Sequence, residues 1–296
     1  MLFETPLIEG RLVRRYKRFL ADVELPGGRV IVAHCPNPGS MRTCAPDRGR
    51  VWLSVHDHPR RKLPYTWELV EVDGAMVCVN TARANDVVAE AIESGVIAEL
   101  AGYDEMRREV AWGAGSRIDF SLIRRGEQCW VEVKSATMDG GDHVAAFPDS
   151  VTARGTRHLG DLMVAAKAGH RAVLLFCCNR SGTRAVRPAD EIDPLYGYTL
   201  RRAADSGVEI LAYASDIDPS GIRLRQRIPV ELPPLDYTPP RRPRSARRRV
   251  IRRGGKKTVR MIDPAGCPGT ECEAEFQPSG AAGRPAIRSS GRGRIM

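Results

Sequence analysis

Aromatic residues make up only 6% of this 296-residue chain. Nowhere does it hold the run of about 18 apolar residues that crosses a membrane as a helix, so a membrane span is excluded. The longest compact apolar stretch, Ala172 to Cys178, has the length of a buried strand. The opening Met1-Leu-Phe-Glu-Thr-Pro lacks a basic segment followed by an apolar one, so no secretory signal is expected. The eight cysteines are therefore expected as thiols in a reducing cytoplasm. Gly-rich phosphate loops and H-x-x-x-H pairs are missing, and Cys267-x4-Cys272 has no second pair, which argues against nucleotide-loop and zinc chemistry. No small-molecule cofactor motif and no internal repeat is evident.

What the chain does have is positive charge, +10 overall. It is unevenly placed. Residues 241–296 hold 15 basic and 4 acidic residues, whereas residues 1–240 hold 31 and 32. The basic excess sits beyond a proline-rich linker starting at Leu232, in a stretch of Gly, Pro, Arg and Ser that offers no core. We therefore expect 233–296 to be a disordered tail. Nucleic-acid binding by the neutral body must be argued from local patches.

Residues 1–82 read as five short strands: 19–25, 30–35, 51–55, 66–72 and 76–80. Asp73-Gly74 between two alternating runs is a hairpin signal, and five strands at this spacing suit an OB-like barrel. Residues 83–232 alternate differently. Helices are expected over 85–100, 150–167 (capped by Asp149 or Ser150) and 194–206, with strands at 172–179 and 208–213. This is an α/β domain with a mixed sheet.

A hairpin over 117–135 carries the chemistry. With its turn centred on Arg125-Gly126, paired residue numbers sum to 251, which sets Asp119 opposite Glu132 with Lys134 on the same face. Ile118, Phe120, Leu122, Cys129, Val131 and Val133 make the other face, expected as core. Two adjacent carboxylates repel unless a cation lies between them. Hard oxygen ligands suit Mg²⁺ or Mn²⁺, and a lysine beside them can orient water or stabilise developing phosphorane charge. Asp119 and Glu132 are thus the metal candidates, Lys134 the third catalytic candidate, and Glu90 a further acid. The same spacing also arises by chance, as an exposed hairpin with a weak cross-strand ion pair.

On the following helix, Arg154, His158 and Asp161 fall within roughly 60° of one another, beside an apolar stripe of Val151, Leu159, Leu162 and Ala166. Arg154, Arg157 and His158 are expected at the border of that stripe, able to contact phosphate. In the barrel, Arg14, Arg15, Lys17, Arg18 and Arg42, joined by Arg60, Arg61 and Lys62, form a basic cluster suited to nucleic acid. Tyr16 and Phe19 are interleaved, either as stacking platforms or as core, and the alternating pattern favours Phe19 as core.

Several stretches are specific. They include Arg15-Tyr-Lys-Arg-Phe-Leu-Ala-Asp-Val, His34-Cys-Pro-Asn-Pro-Gly-Ser-Met, Ser116-Arg-Ile-Asp-Phe, Val131-Glu-Val-Lys-Ser and Phe147-Pro-Asp-Ser-Val-Thr-Ala-Arg-Gly-Thr-Arg-His-Leu. From Met1 to about Leu232 the chain resembles the sugar fermentation stimulation protein (SfsA) family. The resemblance implies an N-terminal OB-like barrel, a C-terminal domain similar to PD-(D/E)xK nucleases, DNA binding, and an effect on sugar catabolism. It sets Asp119, Glu132 and Lys134 on the nuclease motif. Pro38 and Ser40 depart from the family's pattern, where Thr and Ala are expected. A nuclease-like fold can also bind DNA without cutting it, so a non-catalytic DNA-binding regulator is the alternative.

Overall fold

Six strands open the chain: β1 (Ile8–Tyr16), β2 (Leu20–Glu24), β3 (Val30–His34), β4 (Arg50–Val55), β5 (Tyr65–Val72) and β6 (Ala75–Cys78). The structure is a computed structural model and describes residues 1–57, 59–112 and 116–239. Of the tail expected over 233–296, residues 233–239 form no helix or strand, and the rest lies outside the described residues. The sheet order is β3-β2-β1-β4-β5-β6, and a parallel pairing of β3 with β5 closes the first five strands into an OB-like barrel. Asp73 and Gly74 both take positive φ at the β5–β6 turn, as a two-residue hairpin demands.

β1 was not among the expected strands. Its arginines mask the period of two, yet Gly10 and Leu12 are buried while Glu9 and Arg11 are exposed. Phe19 corrects a second expectation. It is 42% exposed, because it lies after β1 in the tight turn that Lys17 and Arg18 make with positive φ.

The second domain contains α1 (Arg83–Glu93), β7 (Glu105–Trp112), β8 (Ser116–Arg124), β9 (Glu127–Ala136), β10 (Met138–Asp139) and β11 (Val144–Phe147). It continues with α2 (Ala153–Lys167), β12 (Arg171–Cys178), β13 (Ala185–Pro188), α3 (Pro194–Asp205), β14 (Glu209–Asp218) and β15 (Gly221–Arg227). Its main sheet has the order β15-β14-β12-β9-β8-β7 and is mixed: β12 runs parallel to both neighbours, and the remaining pairs are antiparallel. β10, β11 and β13 form a small second sheet.

Both faces of the main sheet are covered, which explains the unbroken apolar run of β12. Val173, Leu175 and Cys177 join the core that contains α1, and Leu174, Phe176 and Cys178 join the core containing α2 and α3. All six described cysteines are unpaired and buried. Burial pushes the Cys177 thiol up to about 12, consistent with packing and not redox chemistry. Among the described residues, no helix is long and apolar enough to cross a membrane.

α2 starts later than expected. Its cap is Thr152, whose hydroxyl accepts from the Gly155 backbone N–H at 3.0 Å, and not Asp149 or Ser150. Asp149 is engaged elsewhere, accepting the Met41 N–H at 2.9 Å, while its backbone carbonyl accepts from Ser40 Oγ at 2.6 Å. These two bonds tie a barrel loop to the entry of α2. Ser40 contributes one that alanine cannot make.

Candidate active site

The β8–β9 turn is at Arg125-Gly126, both with positive φ, and the register sets Phe120 opposite Val131 and Leu122 opposite Cys129. The ladder ends at Phe120–Val131. Beyond it, the Asp119 carboxylate takes over, with Oδ2 accepting from the Val133 N–H at 2.7 Å. The two strands part there. Ile118 consequently joins the α2 core while Phe120 and Leu122 stay in the α1 core, so the apolar residues of the hairpin do not share one face. Nor is the polar face open to solvent. α2 covers it, and Glu132 is only 3% exposed.

Glu132 Oε1 is bonded to Lys134 Nζ at 2.5 Å and to His158 Nδ1. Lys134 Nζ also lies 3.5 Å from that ring nitrogen. Arg154 Nε donates to His158 Nε2 at 3.3 Å. A guanidinium has no lone pair to offer, so Nε2 must be the acceptor, which assigns the ring proton to Nδ1 and makes it the donor to Glu132. The other carboxylate oxygen, Glu132 Oε2, is buried without a hydrogen-bond partner. Asp119 Oδ1 accepts from Asn85 Nδ2 at 2.9 Å.

The environments drive the two carboxylates apart. Burial, then the neighbouring Glu132 charge, raises Asp119 above the ordinary aspartate range. Burial also opposes ionisation of Glu132, but the His158 hydrogen bond and the Lys134 charge outweigh it and hold Glu132 below its ordinary value. Such a split pair is characteristic of sites where acid and base roles differ. Among the described residues, no three His, Cys, Asp or Glu side chains group to hold a metal. The residues nonetheless fit a hard cation that keeps several waters: two carboxylates suffice, and the unpartnered Glu132 Oε2 is an acceptor in need of a donor or cation.

The remaining candidates are scattered. Glu90 is on α1 but its carboxylate lies 2.6 Å from the Met1 amino group, away from the pair. His158 is buried in the helix stripe with Gly155, Leu159 and Leu162, so it supports Glu132 instead of meeting phosphate. Val151 is outside that stripe, 76% exposed. Arg154 and Arg157 are exposed. Arg15 is committed to backbone, donating to the carbonyls of Asn37, Gly39 and Ser40 at 2.9–3.2 Å. Lys17, Arg18 and Arg42 are exposed. Sequence reasoning missed Asn85. The available signal was a polar residue on the apolar stripe of Val88, Ala89 and Ile92, at i+3, i+4 and i+7.

Comparison with known proteins agrees with this architecture. The family model "SfsA N-terminal OB domain" matches residues 13–79, and "Sugar fermentation stimulation protein RE domain" matches residues 82–221. A sugar fermentation stimulation protein homolog of Pseudomonas paraeruginosa is 56% identical over 236 residues, covering 78% of this chain and 100% of the relative. Its counterpart in a Marinomonas species is 50% identical over 79% of this chain and 91% of its own length. Among solved structures, Pyrococcus furiosus SfsA in complex with Ca²⁺ matches with a TM-score of 0.72 at 27% identity, over 78% of this chain and 98% of that one. An OB-like barrel joined to a nuclease-like mixed-sheet domain, and relatives matched over nearly their whole length, place this chain in the sugar fermentation stimulation protein family.

Proposed function

We propose that this protein binds nucleic acid, DNA in the first place, and hydrolyses its phosphodiester bonds with a divalent cation, Mg²⁺ or Mn²⁺. The observation that carries this is the convergence of Asp119 and Glu132 where the β8–β9 ladder ends, with Glu132 Oε2 buried and unpaired. The Ca²⁺ in the Pyrococcus furiosus relative supports a cation preference of this kind. Asp119 and Glu132 would hold the ion, whose contribution is to acidify water and neutralise charge on the phosphate. Asn85 and the Val133 N–H hold the Asp119 carboxylate in place. His158 does the same for Glu132. Lys134, 11% exposed at its side chain, stabilises charge building on the phosphate or orients the water. Arg154 and Arg157, exposed on the first turns of α2, contact the backbone of the bound strand. The free, buried thiols of the six described cysteines support a reducing location, the cytoplasm.

One observation favours a second reading, a DNA-binding regulator that does not cut. Glu132 Oε1 is already engaged by both Lys134 and His158. Turnover separates the two. The full chain is incubated with single- and double-stranded DNA and RNA in Mg²⁺, Mn²⁺ or EDTA. Metal-dependent cleavage lost in Asp119→Ala and Lys134→Ala supports hydrolysis. Binding without cleavage of any substrate, unchanged in both variants, overturns it.

A further inference from the structure

The outer face of the barrel beside the β1–β2 turn has a composition that a solvated surface does not need. Strand pairing aligns Arg14 with Asp22 and Asp22 with Val32. One step along, it aligns Tyr16 with Leu20 and Leu20 with His34. These six residues share one face, because alternate residues on a strand point the same way. Their neighbours Ala21, Val23 and Ala33 face the barrel core.

On this face the Arg14 guanidinium lies 4.8 Å from the centre of the Tyr16 ring, and the Arg18 guanidinium 6.0 Å from that of Phe19. Phe19 is 42%, Val32 36% and the adjacent Val30 55% exposed. Lys17 and Arg18 are exposed beside them. The face thus sets the uncovered Phe19, Val30 and Val32 beside the exposed cations Lys17 and Arg18, while Arg14, over the half-buried Tyr16 ring, is held by Asp22 at 2.7 Å.

The face also leads to the candidate active site. The Phe19 carbonyl accepts from the Cys35 N–H at 2.9 Å, at the start of the 35–42 loop. Arg15 holds the same loop by three carbonyls. Ser40 and Met41 then bond to Asp149, three residues before the Thr152 cap of α2. Arg42, Arg154 and Arg157 are exposed along this line, and it ends at the helix whose His158 grips Glu132.

We infer that this face receives a single-stranded nucleic acid, with bases stacking on Phe19 and Tyr16, and leads it over the 35–42 loop to Glu132 and Lys134. The inference rests on the nucleic-acid reading above and narrows it. Unpaired bases offer their faces to the exposed Phe19 ring and the half-buried Tyr16 ring, and cations track the phosphates. A duplex keeps those faces stacked inside and leaves Phe19 without a partner. Stacking and phosphate contact are chemistry that DNA and RNA strands share.

The test uses the full chain in EDTA, so that nothing is cut, and fluorescence anisotropy with labelled strands of about 20 nucleotides, long enough for one barrel and the path beyond it. The probes are single-stranded DNA, single-stranded RNA of the same sequence, and the DNA duplex. Single strands should bind about tenfold tighter than the duplex. Phe19→Ala and Tyr16→Ala should each weaken single-strand binding by about tenfold, and Tyr16→Phe should not. Circular dichroism checks that the variants fold, which the exposure of Phe19 favours. Tight binding of either single strand supports the inference, and a gap between the two identifies the natural source. Duplex binding as tight as single-strand binding, with Phe19→Ala silent, overturns this inference and leaves the proposed function standing. No binding to any probe overturns both.

Discussion

The imidazole of His158, on α2, donates from Nδ1 to the Glu132 carboxylate on β9, and the donor is assigned by Arg154, which occupies the opposite ring nitrogen. One helix thereby fixes the position of an acidic group on the sheet beneath it, and the exposed arginine fixes the tautomer of the histidine.

Replacing His158 by Ala should leave Glu132 held by Lys134 alone. Mn²⁺ binding, followed by calorimetry, should weaken by about 10-fold, the scale for loss of an outer-shell partner. Metal-dependent cleavage should need correspondingly more Mn²⁺. A substitution that retains a donor, His158→Gln, should recover part of the loss. Unchanged Mn²⁺ affinity in His158→Ala would show that the contact serves packing only.

Glu90 should prove dispensable for the chemistry. Its carboxylate is 53% exposed and paired with the Met1 amine. Glu90→Gln should bind Mn²⁺ and cleave as the unaltered protein does, while Asp119→Asn loses both. A defect in Glu90→Gln equal to that of Asp119→Asn would return it to the acidic set.

The barrel loop is keyed to the second domain by a glycine. A Cβ at Gly39 would overlap the Asp149 carboxylate, which accepts the Met41 N–H. Gly39→Ala should destabilise the fold by about 1–3 kcal/mol, the scale of overpacking. Urea unfolding reads this directly. A loss of the same size in Asp149→Ala, with no further loss in the double variant, would locate the cost in this contact.

Stability should fall at acid pH in part through Glu68. This fully buried carboxylate accepts from Arg83 at 2.8 and 3.0 Å, from Ser54 at 2.7 Å and from Asn80 at 2.9 Å. Burial raises its pKa, but Arg83 and the other donors outweigh that and lower it overall. A carboxylate lowered in the fold contributes stability above its unfolded pKa and loses it as pH falls through its folded one. Glu68→Gln should cost about 2–3 kcal/mol at pH 7. The variant should lose less than the unaltered protein between pH 5 and pH 3. Parallel pH curves would contradict this.

Removing residues 241–296 takes away 15 basic residues. The slope of log affinity for nucleic acid against log salt should become shallower, since fewer counterions are released. Complete loss of binding would move the interface out of the body.

Much of this was legible in the chain itself. The β8–β9 register from Arg124–Glu127 to Phe120–Val131 follows from a two-residue turn and a period of two, both local properties; one step further the strands part, and Asp119 accepts from the Val133 N–H in place of a ladder pair with Glu132. The run from Ala172 to Cys178 announced a strand covered on both sides, because only then can successive residues all be apolar. Three things were not local. His158 looked like a border residue because its buried partner, Glu132, is 26 positions away. Phe19 looked like core because the alternation of β2 was extended back through a turn that two positive φ angles create. Glu90 looked like a third acid until the chain's first residue came to rest against it. The local pattern of hydrophobicity thus determined which residues are strands and which faces are apolar. Tertiary packing decided which polar groups are buried together, and it is burial that makes those groups a site, since charges removed from water must be satisfied by one another.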